Sequence, residues 1–219
     1  MYKWSRTQLL VIVGMFTAII FAMTFMGIGF ISIFIFRPTI LHIPVIIGAL
    51  LMGPKYGAVL GFMFGLSSML FATFNPVATS FVFSPFLNMP GTDSGSGWAL
   101  VVAFVPRILV GVVPWYVFVG LRKLMPEKIS VANYAITGIA GALTNTLLVM
   151  HFIFLLFGGT WNYARATPSP SDALYMAIWG IVATNGVPEA IASAILVGAI
   201  MGALVVVIDK SIGVKKIWS

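Results

Sequence analysis

Cysteine is absent from the sequence, which excludes a disulfide framework and a thiolate metal site. Charge is nearly absent as well. Asp, Glu, Lys and Arg make up 8% of the 219 residues, against about 25% in soluble domains, and a soluble fold is thereby excluded. What is there is apolar: 60% of the chain is hydrophobic. A hydrocarbon core of about 30 Å needs about 20 apolar residues per helix, so the chain has room for roughly six spans and no separate catalytic domain. Acidic residues are the scarcest charges, five against twelve Lys and Arg, for a net charge of +7. Those cations form no basic stripe with interleaved aromatics, so they do not point to nucleic acid. The N-terminal segment has too long an apolar run and no convincing small-x-small cleavage site for a signal peptide, and reads as a retained first helix.

The expected architecture is all-α, one six-helix transmembrane domain over residues 1–219. The apolar pattern predicts helices over about 8–28, 38–53, 56–74, 98–121, 131–157 and 188–208. Pro44 makes the short second helix tilted or irregular, and Pro106 and Pro114 are kinks in the fourth. Asn185-Gly186-Val187-Pro188 reads as the start of the sixth. Residues 75–97 and 158–187 are long loops rich in Pro, Gly, Ser and Thr. They carry Phe81, Phe83, Phe86, Trp161 and Tyr163, and long loops of this kind are binding lids or linkers; the aromatics argue against a linker.

Charge orients the bundle. With both termini inside, Lys3, Arg6, Lys55, Arg122, Lys123, Lys128, Lys210, Lys215 and Lys216 are cytoplasmic, against Arg37 and Arg165 outside. The positive-inside rule favours that orientation, which makes the aromatic loops external.

Two ionisable residues fall inside predicted spans, Arg107 and Glu189, and a charge in hydrocarbon persists mostly for pairing or function. Arg107 cannot shed its charge; its partner is either Glu189 or an anionic ligand. Glu189 also suits the dipole of a first helical turn. His42 and His151 are candidate pocket residues, with packed histidine as the competing reading. Asn145, six residues from His151, points to a different face and reads as an interhelical hydrogen bond. Small residues recur every fourth position at Gly14, Ala18 and Ala22, at Gly57, Gly61 and Gly65, and at Ala190, Ala194, Gly198 and Gly202. Such faces admit close helix approach; for the second and third sets internal packing is the expected use. Gly65-Leu66-Ser67 lacks the second glycine of a nucleophile elbow, and no paired carboxylates, phosphate loop or His-x-x-x-His pair occurs, so no catalytic residue is assigned. No cofactor and no metal ligand set is expected either.

The run His42-Ile-Pro-Val-Ile-Ile-Gly-Ala-Leu-Leu-Met-Gly-Pro-Lys-Tyr-Gly-Ala-Val-Leu-Gly61, Val105-Pro-Arg-Ile-Leu-Val-Gly111 and Asn185-Gly-Val-Pro-Glu189 resemble the substrate-binding S components of energy-coupling-factor (ECF) vitamin importers. The likeness spans nearly the whole chain. The run around Thr79-Ser-Phe-Val-Phe-Ser-Pro-Phe86 is most similar to pantothenate-specific members.

The resemblance implies a multi-pass subunit of the bacterial cytoplasmic membrane. It would bind one vitamin at its outer face, dock through Gly14, Ala18 and Ala22 onto a transmembrane T component carrying two cytoplasmic ATPases, and topple to carry the site inward. ATP hydrolysis would belong to the ATPases. For pantothenate, Arg107 suits the carboxylate. Asn75, Ser84, Asn88 and Asn185 suit its hydroxyls and amide, and Trp161 and Trp179 an apolar wall. Folate, a hydroxymethylpyrimidine or a pyridoxine-like precursor would instead stack on those tryptophans, and spacing does not choose among them. A stand-alone secondary transporter is the rival outside the family; internal repeats and charged coupling sites would mark it, and no repeat is evident.

Overall fold

The computed structural model describes residues 4–27, 39–124, 131–164, 176 and 179–212. Lys3, Arg37, Lys128, Arg165, Lys215 and Lys216, on which part of the orientation argument rests, lie outside the described residues. Every regular element among the described residues is helical: α1 (Arg6–Phe25), α2 (His42–Met52), α3 (Pro54–Phe74), a 3-10 turn (Ser80–Val82), α4 (Trp98–Val110), α5 (Val113–Leu124), α6 (Val131–Ala164), a π-helical turn (Val182–Gly186) and α7 (Val187–Ile212). Five segments are long and apolar enough to cross a membrane, with α4 and α5 together forming one of them; α2 is a shorter sixth.

Helix α2 is the centre of the bundle. Its eleven residues are buried except Leu51, and at about 1.5 Å per residue they rise about 16 Å, half a hydrocarbon core. The helix is unbroken, so of the two outcomes expected from Pro44, tilt or irregularity, irregularity does not occur. That proline sits in the first turn, where a missing N–H costs no helical hydrogen bond. The helix stops at Gly53, whose φ of 93° is open to glycine, and α3 starts at once on Pro54 in its first turn.

Helix α1 hangs on the outside. It is fastened near its start by Trp4 Nε1 donating to the Leu51 carbonyl at 3.1 Å, and near its end by Thr24 Oγ1 donating to Ser67 Oγ at 3.1 Å. Only 11% of its span is buried.

The proline expectations for the fourth span resolve differently at the two positions. The helix breaks at Gly111–Val112, whose N–H groups turn back to Ile108 and Leu109, one turn before Pro114, which cannot donate to the residue 110 carbonyl. Pro106 breaks nothing: α4 runs through it.

Two boundaries depart from the sequence reading. Helix α6 continues seven residues past the expected end at 157, to Ala164, so Trp161 and Tyr163 are helical rather than in a loop; the Gly158-Gly159 pair that suggested the end is tolerated in a membrane helix. The last span begins by Trp179, not at Pro188. Pro188 lacks the N–H owed to residue 184, and the helix absorbs this by widening into the π-helical turn just before it rather than by starting afresh. No free helix N-terminus therefore stands at Glu189 to account for its carboxylate.

Residues 75–97 are folded down onto the bundle. Phe81 and Val82 are buried with Val102, Val149, Ile153 and Phe157, and Phe81 meets Phe157 edge-on at 5.8 Å.

Candidate functional site

The site begins with a helix contact. A Cβ on Gly61 would strike the carbonyl of Arg107, one on Gly65 the carbonyl of Ala103, and one on Gly57 the carbonyl of Gly111. The every-fourth glycine face of α3 thus lets α4 lie backbone to backbone against it, and so sets where Arg107 stands. The face on α7 is internal as well: a Cβ on Gly198 would meet Val131 and Ala135 of α6, and Ser193 Oγ donates to the Gly138 carbonyl at 2.9 Å.

Arg107 is buried at 7% exposure. Pro106 has no N–H to offer the carbonyl of Val102, four residues back. The Arg107 side chain turns toward the start of α4, as helical side chains do, and Nη1 donates to that carbonyl at 2.6 Å. Its guanidinium carbon lies 5.0 Å from the ring centre of Phe83, in the folded-down segment, and 5.6 Å from that of Phe64. Nε is buried and has no hydrogen-bond partner among the described residues.

Glu189 takes two neutral donors, the Thr39 N–H on one oxygen and Thr146 Oγ1 on the other, each at 2.7 Å. It thereby ties the approach to α2 and the middle of α6 to the last span. Among the described residues no ion pair joins it to Arg107, although both line one cavity.

That cavity, about 360 Å³, opens among the end of α3, the 77–83 segment, α4, α6 and the π-helical turn. The size is that of a small-molecule site. Of the candidates from sequence, the structure brings Asn75, Arg107, Asn185 and Glu189 to its wall. Asn75 is the C-cap of α3, and Asn185 stands in the π-helical turn with a buried Oδ1 that has no partner among the described residues.

The other described candidates lie outside the lining. His42 is wholly buried in the first turn of α2, with neither ring nitrogen hydrogen-bonded among the described residues. Ser84 shares a 2.7 Å hydrogen bond with Thr73, fastening the loop to α3, while Asn88 is exposed. His151 hydrogen-bonds through Nδ1 to the Leu147 carbonyl at 2.7 Å and meets Trp179 edge-on at 6.0 Å. The Trp161 side chain lies outside the described residues.

Asn145 departs from its sequence reading. It makes no interhelical hydrogen bond among the described residues; it lines the cavity, and its buried Oδ1 has no partner. Thr146, Thr39, Ser80 and Phe83 also line the cavity; none was assigned to a site from the sequence, although Phe83 was noted among the loop aromatics. An unpaired polar group in a span was the available signal for Asn145, and for Phe83 the aromatic content of its loop.

The arrangement can hold a small anion that also hydrogen-bonds. One guanidinium with an unfilled donor supplies the charge, and two unfilled amide oxygens supply acceptors. Among the described residues no three His, Asp or Glu side chains come together as a metal-holding group.

Residues 8–201 match the family model described as ECF transporter, substrate-specific component. Two curated relatives are similar to this chain. The pantothenic acid transporter PanT of Lactococcus lactis subsp. cremoris is 42% identical over 168 residues, covering 77% of this chain and 78% of the relative. The pantothenate transporter PanT of Leuconostoc mesenteroides subsp. mesenteroides is 29% identical over 216 residues, covering 96% and 98%.

Proposed function

This chain belongs to the family of substrate-specific components of ECF transporters, and we propose that within vitamin uptake its ligand is pantothenate, bound in the cavity between α3, α4, α6 and the π-helical turn. One observation carries the assignment. Arg107 is buried in the cavity wall with no ion pair among the described residues and an Nε–H without a partner, and a buried guanidinium in that state suits a carboxylate ligand. Pantothenate offers one carboxylate, one amide and two hydroxyls. Asn145 and Asn185 carry the acceptor oxygens for the latter groups, Phe83, Val149 and Ile153 line the same cavity as apolar wall, and the names of both similar relatives favour the same vitamin.

The cavity end of the bundle is the external face of the cytoplasmic membrane, with both termini inside; the excess of Lys and Arg at the opposite end supports this orientation. Gly14, Ala18 and Ala22 lie exposed along α1, and Gly14 has open space where a Cβ would stand. This face docks on a transmembrane T component, whose two ATPase partners supply the hydrolysis. The chain itself performs binding and delivery, not catalysis.

The test is to purify the full chain in detergent, identify any copurified small molecule by mass spectrometry, and titrate the emptied protein with pantothenate. Saturable one-to-one binding is expected, lost on Arg107→Ala without loss of folding. Copurification of a different vitamin together with no pantothenate binding would overturn the reading.

A further inference from the structure

Among the described residues the cavity wall holds two charged side chains, Arg107 and Glu189, and every other described lining residue is neutral. They do not cancel each other by contact. Arg107 spends its contacts on the Val102 carbonyl and the faces of Phe83 and Phe64. Each Glu189 oxygen accepts from a neutral donor, one of them the Thr39 backbone N–H, which can only donate. Among the described residues, the carboxylate thus stands beside the ligand space with Arg107 as the one cation on the same cavity wall, and the two are not in contact.

We propose that Glu189 is a specificity-determining residue that limits this site to ligands with a single negative charge. The inference rests on the preceding reading, in which the ligand carboxylate occupies Arg107. A first anionic group meets that guanidinium. A second one finds no further cation among the described lining residues, and in a cavity enclosed by the bundle the repulsion from Glu189 is more weakly screened than in water. The rest of the ligand must therefore be neutral, and the acceptor oxygens of Asn145 and Asn185 fit hydroxyl and amide donors rather than another anion. The selection is by repulsion, against the wrong ligand, on top of the attraction for the right one.

The experiment compares two isosteres. One is pantothenate bearing a second carboxylate on the carbon next to its amide nitrogen; the other carries a primary amide at that carbon. Their shapes match and their charges differ by one, so the ratio of their dissociation constants isolates charge from bulk. Titration calorimetry on the full wild-type chain in detergent is expected to show the dicarboxylate binding about 10- to 100-fold more weakly than the amide. Glu189→Gln is expected to shrink that ratio to about threefold or less. Thr146→Val removes one hydrogen bond to Glu189 but keeps the charge, and is expected to retain the wild-type ratio.

A purely structural Glu189 would instead weaken both isosteres alike in Glu189→Gln and leave the ratio unchanged, which overturns the proposal. So does equal binding of the two isosteres by the wild type, a result that needs no variant to fold. If the wild type fails to bind pantothenate itself, the preceding reading falls and takes this one with it. An unchanged ratio with intact pantothenate binding removes only the role of Glu189.

Discussion

Arg107 Nη1 donates to the Val102 carbonyl at 2.6 Å, the oxygen that Pro106 leaves without its helical partner. A proline in a helix interior removes a hydrogen bond and crowds the carbonyl four residues back, at a cost of about 3 kcal/mol. Here the defect provides a buried acceptor that fixes the guanidinium at the cavity wall. Pro106→Ala should therefore act with opposite signs on stability and binding. The apparent melting temperature should rise, because the helical bond is restored, while pantothenate affinity should fall about 3- to 10-fold as the guanidinium loses its anchor, on the scale of one hydrogen bond to a charged group. Thermal denaturation and calorimetry on the same preparation check both signs.

Gly61 lies against the backbone of Arg107, and a Cβ there would strike the Arg107 carbonyl. Gly61→Ala should cost about 1–3 kcal/mol through forced separation of α3 from α4. Gly120→Ala, in α5 with nothing within 4 Å of the added atom, should be neutral or stabilising by up to about 1 kcal/mol. Denaturant unfolding of the two variants in detergent separates close packing from a general intolerance of alanine; equal effects would contradict the helix contact.

Much of the fold was legible because composition and apolar run length report directly on a bilayer. Five long spans and one short one follow from those runs, and Gly53-Pro54 marked a turn that is where expected. The misses at prolines share one cause. Pro44, Pro106 and Pro188 look alike in the sequence, yet what each does depends on whether a missing N–H falls in a first turn, is replaced by a side chain, or is absorbed by a π-helical turn. Sequence alone does not show which. For the same reason Asn185 was read as a helix cap although it stands within a helix.

Arg107 and Glu189, which line the candidate cavity, were legible in the sequence, since an ion inside a span is conspicuous whatever its partner. Asn145 lines the cavity and His151 does not, because the face that a residue of a long helix presents to a cavity depends on how the neighbouring helices pack, which residue spacing does not show. His42 and Ser84 were conspicuous as polar residues but lie outside the cavity lining, one buried at the start of α2 and the other tied to Thr73.

Glu189 holds Thr39 and Thr146 together, so its loss should be felt in the empty protein. Glu189→Ala should lower stability by about 2–4 kcal/mol, because two hydrogen bonds to a charged acceptor are lost and the Thr146 hydroxyl is left buried. Equilibrium unfolding without ligand is the measurement, and Glu189→Gln should lose less than Glu189→Ala.

Ala18 and Ala22 are exposed on α1, and bulk there meets lipid or a partner rather than the bundle. Ala18→Trp or Ala22→Trp should leave pantothenate binding by the isolated chain within about twofold while abolishing copurification with a T component, since close helix approach requires small residues. Unchanged assembly in both variants would remove this face as the docking surface.

The central claim, that Arg107 is the partner of a ligand carboxylate, is tested most directly by titrating the wild-type chain with pantothenate and with the alcohol analogue that lacks the carboxylate. Truncating one partner of a buried charged pair costs about 2–5 kcal/mol, so the alcohol should bind at least about 30-fold more weakly, and Arg107→Ala should remove most of the difference between the two ligands. Equal affinity of the wild type for both would contradict the assignment.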